Sequence, residues 1–532
     1  MRLYPTRVAV QLAVAGAAVV AAGLVSAQPA VVAWGAALLV GVGAARAATL
    51  VSVARIRAAG FEMLWSAAER RVVVARGGEV SLEAEVRNRD TLAARYTGLR
   101  AIASSQLEVR IEPPEGEVPA SGKLLVTVKV RAPRVGRHGI FGLALEVRGA
   151  PGLFEVPLTF ANPFGIEVRP ASYASAVRSA RGGRTRMAAE GGSSGRSVGE
   201  GSDLREVREY QPGDPFKRIA WKASGRRGKL LVREMEHEER SLVWVILDAS
   251  VELWAGATGV APLDGLIDDA AALVDRHLHR GDKVGAMVVG SRRLGLVAPE
   301  RGPAHAARIH ELLTHAPGVH DRDRSDLDDQ EVVSRVIEHL RPIDPQGLSD
   351  LGRRDLDKLV LRAASAMGRA PFRADPPLAP TSQERRLRQY LASFGVEVPA
   401  RLEPERGRTA ERLAAELDEL AKQRPRPSLV YVLAPPPTVV DTALIEAARR
   451  LRRGGVELRW VLPEMAASLA GIDRLRTESA MVLRAIDEKL RLGRRRDEQA
   501  LRKLGLRLER LRRPPPPRPL AVAAESTTPE DP

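Results

Sequence analysis

The sequence predicts an α/β domain with a mainly parallel sheet and a helical insertion, preceded by a two-helix membrane hairpin and an antiparallel β-sandwich. Three observations carry this reading. Two long apolar runs open the chain, period-two alternation fills residues 71–168, and short apolar runs alternate with amphipathic stretches from Leu242 to Leu462. A chain of 532 residues exceeds one ordinary core. The division it suggests is 1–58 for the hairpin, 70–170 for the sandwich and 171–240 for a linker with a polar motif segment. The α/β domain then takes 241–465 with an insertion at 320–427, followed by a charged helix at 466–513 and a disordered tail at 514–532.

Val8–Val25 is apolar except for Gln11, and Ala30–Ala45 follows after the uncharged Ser26-Ala27-Gln28-Pro29. Arg2 and Arg7 precede the pair, and Arg46, Arg55 and Arg57 follow it. The positive-inside rule therefore puts both ends, and all later domains, in the cytoplasm at the inner membrane. A signal peptide cut after Val25-Ser26-Ala27 is opposed by the second apolar run, and a buried helical hairpin of a soluble protein is the other rival.

Runs such as Val80-Ser81-Leu82-Glu83-Ala84-Glu85-Val86, punctuated by Gly77-Gly78 and Pro113-Pro114, read as short strands of a β-sandwich. Such a domain serves either as a partner-binding module or as a spacer. Residues 179–201 are rich in Gly, Ser and Arg and read as a linker. Their Gly191-Gly192-Ser193-Ser194-Gly195 has hydrolase-elbow spacing but neither the strand nor the helix an elbow needs.

In the α/β region Leu242–Leu247, Val284–Val289, Leu294–Pro299, Leu429–Leu433 and Val456–Leu462 read as strands. Helices lie at Leu266–Leu278, Ala304–Leu313 and Ala443–Leu451. Between the halves, four apolar stripes imply a packed helical insertion; the fourth is Leu413, Leu417 and Leu420. Leu501, Leu504, Leu508 and Leu511 suggest a last helix, either a coiled-coil or docking helix or one packed on its own domain.

The net charge of +16 admits nucleic acid or an anionic lipid surface. Only 4% of residues are aromatic, few for stacking bases, so arginines on solvated faces are the favoured reading and nucleic acid is not the expected partner. The lack of cysteine excludes disulfides, thiolate metal sites and cysteine nucleophiles.

The segment before the first α/β strand carries Leu204-Arg205-Glu206, Arg208-Glu209-Tyr210, Gly213-Asp214, Arg218-Ile219, Trp221-Lys222-Ala223-Ser224, Gly228-Lys229-Leu230 and Val232-Arg233-Glu234. Asp248-Ala249-Ser250 ends that strand. This pattern resembles the bacterial and archaeal domain of unknown function 58 family, whose proteins carry a von Willebrand factor A-like domain. Its signature positions here include Arg205, Glu209, Tyr210, Gly213, Asp214, Arg218, Trp221 and Lys222. They could present a partner or anion site. Equally, Gly213-Asp214 could form a turn paired with an arginine while Trp221 joins the core, and this structural reading is preferred.

Metal-binding A-like domains use a D-x-S-x-S loop aided by a threonine and an aspartate from other loops, and magnesium is the cation the resemblance implies. Asp248 and Ser250 match, but Glu252 replaces the second serine. Ala434-Pro435-Pro436-Pro437 stands where the family offers Ser-Asp. The set Asp248, Ser250 and Glu252 is thus incomplete, and a turn-capping aspartate is the favoured alternative. No cofactor and no catalytic residue is expected. Gly225–Leu230 lacks the first glycine and the closing Ser or Thr of a phosphate loop, and His237–Ser241 lacks the second histidine of a zinc helix. His305, His310, His315 and His320 recur at a spacing that does not share a helix face. The carboxylate pairs Asp268-Asp269 and Asp328-Asp329 read as solvated.

The expected function is a non-enzymatic, membrane-anchored protein-interaction scaffold docking through the top of the A-like sheet, near Asp248 and Ser250. The resemblance implies a MoxR-type AAA ATPase as partner, in assembly or maturation of cell-envelope or other complexes. The alternatives are a metal-dependent hydrolase rebuilt around Asp248 and Glu252, and a basic binder of membrane surfaces or nucleic acid.

Overall fold

The structure, a computed structural model, describes residues 3–148, 152–171, 204–211, 216, 219–235, 241–254, 258–344, 355–438, 441–463 and 507–509, with short pieces between 481 and 502. The 179–201 linker and the 514–532 tail lie outside the described residues.

A short strand β1 (Tyr4–Pro5) leads into helices α1 (Arg7–Val25) and α2 (Pro29–Ala59). Thr6 caps α1 by accepting the Ala9 N–H on its hydroxyl at 3.3 Å. The helices touch through glycine: a Cβ on Gly35 would stand 2.7 Å from the Val20 backbone nitrogen, so only glycine allows this approach. Both are long and apolar enough to cross a membrane, and only 17% of each apolar window is buried by protein. Trp34, Leu24 and Val25 face outward. That exposure disfavours the buried soluble hairpin, since apolar helices of a soluble protein must be covered.

α2 does not stop at the hairpin. Its last turns carry Val53 into the core of the next domain, and Arg55 Nε donates to Asp90 Oδ1 at 3.1 Å. Thr6 also donates its backbone N–H to Leu153 O at 3.0 Å. Both ends of the hairpin are thus fastened to the sheets that follow.

Those sheets comprise β2 (Phe61–Trp65), β3 (Arg71–Ala75), β4 (Glu79–Asn88), β5 (Ala94–Ala103), β6 (Glu108–Glu112), β7 (Gly116–Val118), β8 (Lys123–Arg131), β9 (Gly136–Arg148) and β10 (Phe154–Arg169). One sheet runs β1-β10-β9-β5-β7 with β3 also on β10; the other runs β2-β4-β8-β6. All pairings are antiparallel except β3 with β10. Alternate residues of the two sheets, among them Ala84, Val86, Val126, Val128, Leu143 and Leu145, share one core. The unit begins at β2, before the expected residue 70, because Trp65 Nε1 donates to Asn162 O at 2.8 Å and Met63 is buried.

The motif segment forms β11 (Leu204–Glu209), α3 (Trp221–Arg227) and β12 (Leu231–Met235), with β11 antiparallel to β12. The mixed sheet follows in the order β15-β14-β13-β16-β17-β18. Its strands are β13 (Leu242–Asp248), β14 (Lys283–Val289), β15 (Arg293–Glu300), β16 (Leu429–Leu433), β17 (Glu457–Val461) and β18 (Arg507–Glu509). Only β15, at the edge, is antiparallel. Along β13, Val243, Val245 and Leu247 pack against α4 (Pro262–His279) and α5 (Pro303–His315). Trp244 and Ile246 face the other way, as the strand period requires.

The insertion is built from α6 (Asp329–Leu340), α7 (Leu356–Ala366) and α8 (Ser382–Phe394) around Val336, Leu340, Leu359, Leu387, Tyr390 and Phe394. The fourth leucine stripe belongs elsewhere. It lies on α9 (Arg406–Lys422), which with α10 (Thr442–Arg453) covers the second face of the sheet. The insertion therefore closes near residue 405 and not 427. Where a helix was expected through 513, Arg507–Glu509 pairs with β17, and Leu501 and Leu508 pack on the same sheet face. This is the own-domain packing that leucine spacing alone did not distinguish from a coiled coil.

The sandwich and the mixed sheet are interlocked. Val135, in the turn between β8 and β9, is buried in the core of the mixed sheet. Arg134 and Arg76 form ion pairs with Asp264 and Asp268 on α4, both carboxylates fully buried. Ala171 N donates to Asp268 Oδ1 at 2.8 Å. A Cβ on Gly139 of β9 would stand 2.3 Å from Phe394 O, where α8 ends in the left-handed Gly395. Among the two uses open for the sandwich, these contacts favour a fixed spacer.

Candidate functional site

Strand β13 carries Asp248 and Ser250 to the carboxyl end of the sheet, where α/β domains place ligands. Both are buried, at 5% and 3% exposure. Asp248 Oδ1 accepts the Ser250 N–H at 2.8 Å, closing a turn that leads into a single 3-10 turn, Val251–Trp254. Glu252 lies in that turn. Of the expected metal set, all three residues thus share one loop, but Asp248 caps the loop. Among the described residues no group of three or more His, Asp or Glu is arranged to hold a metal ion. After β16, Ala434 is buried beneath Trp460, whose Nε1 donates to Ala434 O at 2.9 Å.

Sequence reasoning missed the residues that cover this rim. Arg324, at the entry to the insertion, is 3% exposed. It donates from Nη2 to Ala249 O at 2.6 Å and from Nη1 to Ala316 O at 3.1 Å and Gly318 O at 2.8 Å. Glu405, at the exit of the insertion, is 1% exposed and accepts the backbone N–H of Val251. Burial raises the Glu405 carboxyl above its ordinary range, opposed by Arg324 and aided by nearby Glu252 and Asp323. Arg292 bonds Asp321 at 2.5 Å and Asp323 at 2.9 Å over the same end. In the sequence these residues sit in charged runs such as Asp321-Arg322-Asp323-Arg324, which look like any solvated loop.

In the motif segment Ile219, Ala220, Leu231 and Val232 are buried, and Ile219 pairs with Val232. Ala220 N donates to Leu231 O, Tyr210 N donates to Leu230 O, and Ser224 Oγ accepts the Leu231 N–H at 2.9 Å. Its outer surface is apolar and basic. Trp221 is 65% exposed, Phe216 71% and Leu230 45%, and the Tyr210 and Phe216 rings lie 6.1 Å apart. Lys222, Arg226 and Arg227 are exposed. Glu209 accepts from Lys229 at 2.8 Å. Trp221, expected in the core, is thus a surface residue, because α3 buries Ser224 against β12 and turns its first residue outward. Arg205 lies on β11; Gly213, Asp214 and Arg218 fall outside the described residues.

The remaining candidates disperse. His305 bonds Val284 O at 2.6 Å, His310 bonds Asp275 at 2.8 Å and His320 bonds Val396 O at 3.0 Å, so the histidine series serves separate packing contacts. Asp268 and Asp269, read as solvated, are buried. The sequence could not show that an arginine from the sandwich, 192 residues away, meets Asp268.

Residues 206–351 match the family model described as protein of unknown function DUF58. Uncharacterized proteins of Mycobacterium bovis and Mycobacterium tuberculosis are 27% identical over 129 residues, 24% of this chain and 41% of theirs. The chain therefore matches less than half the length of these curated relatives. Among solved structures, a PapD-like domain of human CEP192 covers 21% of this chain and 88% of its own at 13% identity and a TM-score of 0.17. A cupredoxin domain of amoB from Nitrosocaldus yellowstonii covers 21% and 92% at 10% identity and 0.15, and no fold assignment is drawn from scores this low. Residues 206–351, which span the motif segment, β13 to β15 and the start of the insertion, are a DUF58 family domain.

Proposed function

We propose that this chain is a membrane-anchored, non-enzymatic interaction scaffold. Its two apolar helices hold it at the inner membrane, with the arginine flanks keeping the folded domains cytoplasmic. The sandwich stands as a rigid post fused to α2, and the mixed-sheet domain, read as von Willebrand factor A-like, is locked to it. A MoxR-type AAA ATPase is the partner implied by the family resemblance, with assembly or maturation of protein complexes as the task.

The observation that carries this reading is the exposed Trp221, Phe216 and Leu230 beside Lys222, Arg226 and Arg227. Aromatic side chains held out from a small fixed unit are what protein interfaces use as anchors. This reading puts the contact on the motif segment instead of at Asp248 and Ser250, since both are buried under the insertion. The test is crosslinked purification of the full-length protein from its native membrane, with and without Trp221→Ala. An AAA ATPase should accompany the wild type and be lost with the variant, while stability changes by no more than about 0.5 kcal/mol, as for a surface substitution. Equal recovery with both proteins would count against the site, and recovery of no protein would count against the scaffold.

A further inference from the structure

A divalent cation at the carboxyl end of a parallel sheet needs several oxygen ligands converging on one point. The rim of β13 has the oxygens but spends them differently. Asp248 Oδ1 is engaged by the Ser250 N–H, and the position following β16 is a buried alanine. Three main-chain carbonyl oxygens, those of Ala249, Ala316 and Gly318, converge instead on the Arg324 guanidinium at 2.6, 3.1 and 2.8 Å. Carbonyl oxygens are hard donors that a cation would also use, and here they solvate a fixed side-chain charge.

We propose that Arg324 supplies the positive charge of this rim in place of a divalent metal, so that the DUF58 domain of this chain is held together there without one. The surroundings fit a resident cation. Burial pulls the Arg324 guanidinium below its ordinary range, with nearby Arg292 adding to the effect, while the Glu405, Asp321 and Asp323 carboxylates around it oppose the shift and favour the charged form. A planar fork also does what a point charge does not: it ties the end of β13 to the end of α5 and the entry of the insertion in fixed directions. Arg401 N donates to Arg324 O at 2.8 Å, so the returning end of the insertion is fastened to the same residue. The inference rests on the rim alone and is independent of any partner at Trp221.

The test uses the full-length protein in detergent or lipid discs, with Mn2+ as the probe read by electron paramagnetic resonance and by thermal melting. The wild type should take up no Mn2+ at the rim, and neither Mn2+, Mg2+ nor a chelator should shift its Tm. Arg324→Gln, which removes the charge but keeps donors, should gain Mn2+ affinity by about tenfold or more. Adding Asp248→Asn should abolish that gain. Arg324→Lys, which keeps a charge without the fork, should lose stability and gain no Mn2+ affinity. Stoichiometric Mn2+ binding with a raised Tm in the wild type would overturn the proposal. So would an Arg324→Gln protein that gains nothing, or an Arg324→Lys protein that gains as much.

Discussion

His138 and His339 show how single residues couple this fold to pH. His138 is buried with its Nε2 3.1 Å from Arg134 O, and burial pulls its pKa down to about 4 against that bond and the nearby Glu397. His339 is held down to about 4 by burial among Phe141, Tyr390 and Phe394. In the unfolded chain each titrates near 6.5, so between there and about 4 the unfolded state binds protons that the folded state refuses. Their contribution is therefore present above the unfolded pKa and is lost as pH falls, at most about 3 kcal/mol each by pH 4. Urea melts across this range should show the loss, and His339→Gln should flatten it; an unchanged slope would mean His339 protonates freely in the fold. The sequence did not reveal these environments. A histidine inside the pattern of α6 reads as a polar residue, and only the arrival of Phe141 from β9 makes it a half-buried one. Trp221 is the converse, an aromatic whose exposure depends on the direction in which a seven-residue helix leads into its strand.

At the scale of elements, strands β13, β14 and β16 were legible because each is a short apolar run buried on both faces, a pattern that local sequence fully expresses, and β17 because Val456, Leu458, Trp460, Val461 and Leu462 outweigh its two charged residues. Although the protein leaves them largely uncovered, the two N-terminal helices were legible because long apolar runs are likewise a local pattern. The allegiance of amphipathic helices was not. A leucine stripe says that a face is buried, not against what, so α9 was assigned to the insertion although it covers β13 and β16. The same ambiguity hid β18, whose Leu508 fits a helical spacing. The rim lost its expected role because its cover, Arg324 and Glu405, comes from the two ends of the insertion, which only the fold brings together. The contact between sandwich and α4 is the strongest inter-element claim. Asp268→Ala should cost about 3–5 kcal/mol by leaving Arg76 without its buried carboxylate. The double change Arg76→Met with Asp268→Leu should recover much of this, and denaturant melts of the three proteins decide it. A cost below about 1 kcal/mol for the single change would show a solvated, weakly coupled pair.

For the whole molecule, these contacts make one continuous mechanical path. α2 enters the sandwich through Val53, and the sandwich grips α4 and α8; the motif segment precedes β13 in the sequence. A protein built this way holds its mixed sheet at a set place relative to two apolar helices. The measurement that tests this account most directly places a photo-crosslinking residue at Phe216 in the full-length protein in its native membrane. A second probe at the exposed Leu125 of the sandwich serves as control. A discrete protein adduct at 216 and none at 125 is the expected result, with an AAA ATPase as its identity. Adducts only to lipid at 216, or the same adducts at both positions, would contradict the claim that the motif segment is the docking surface.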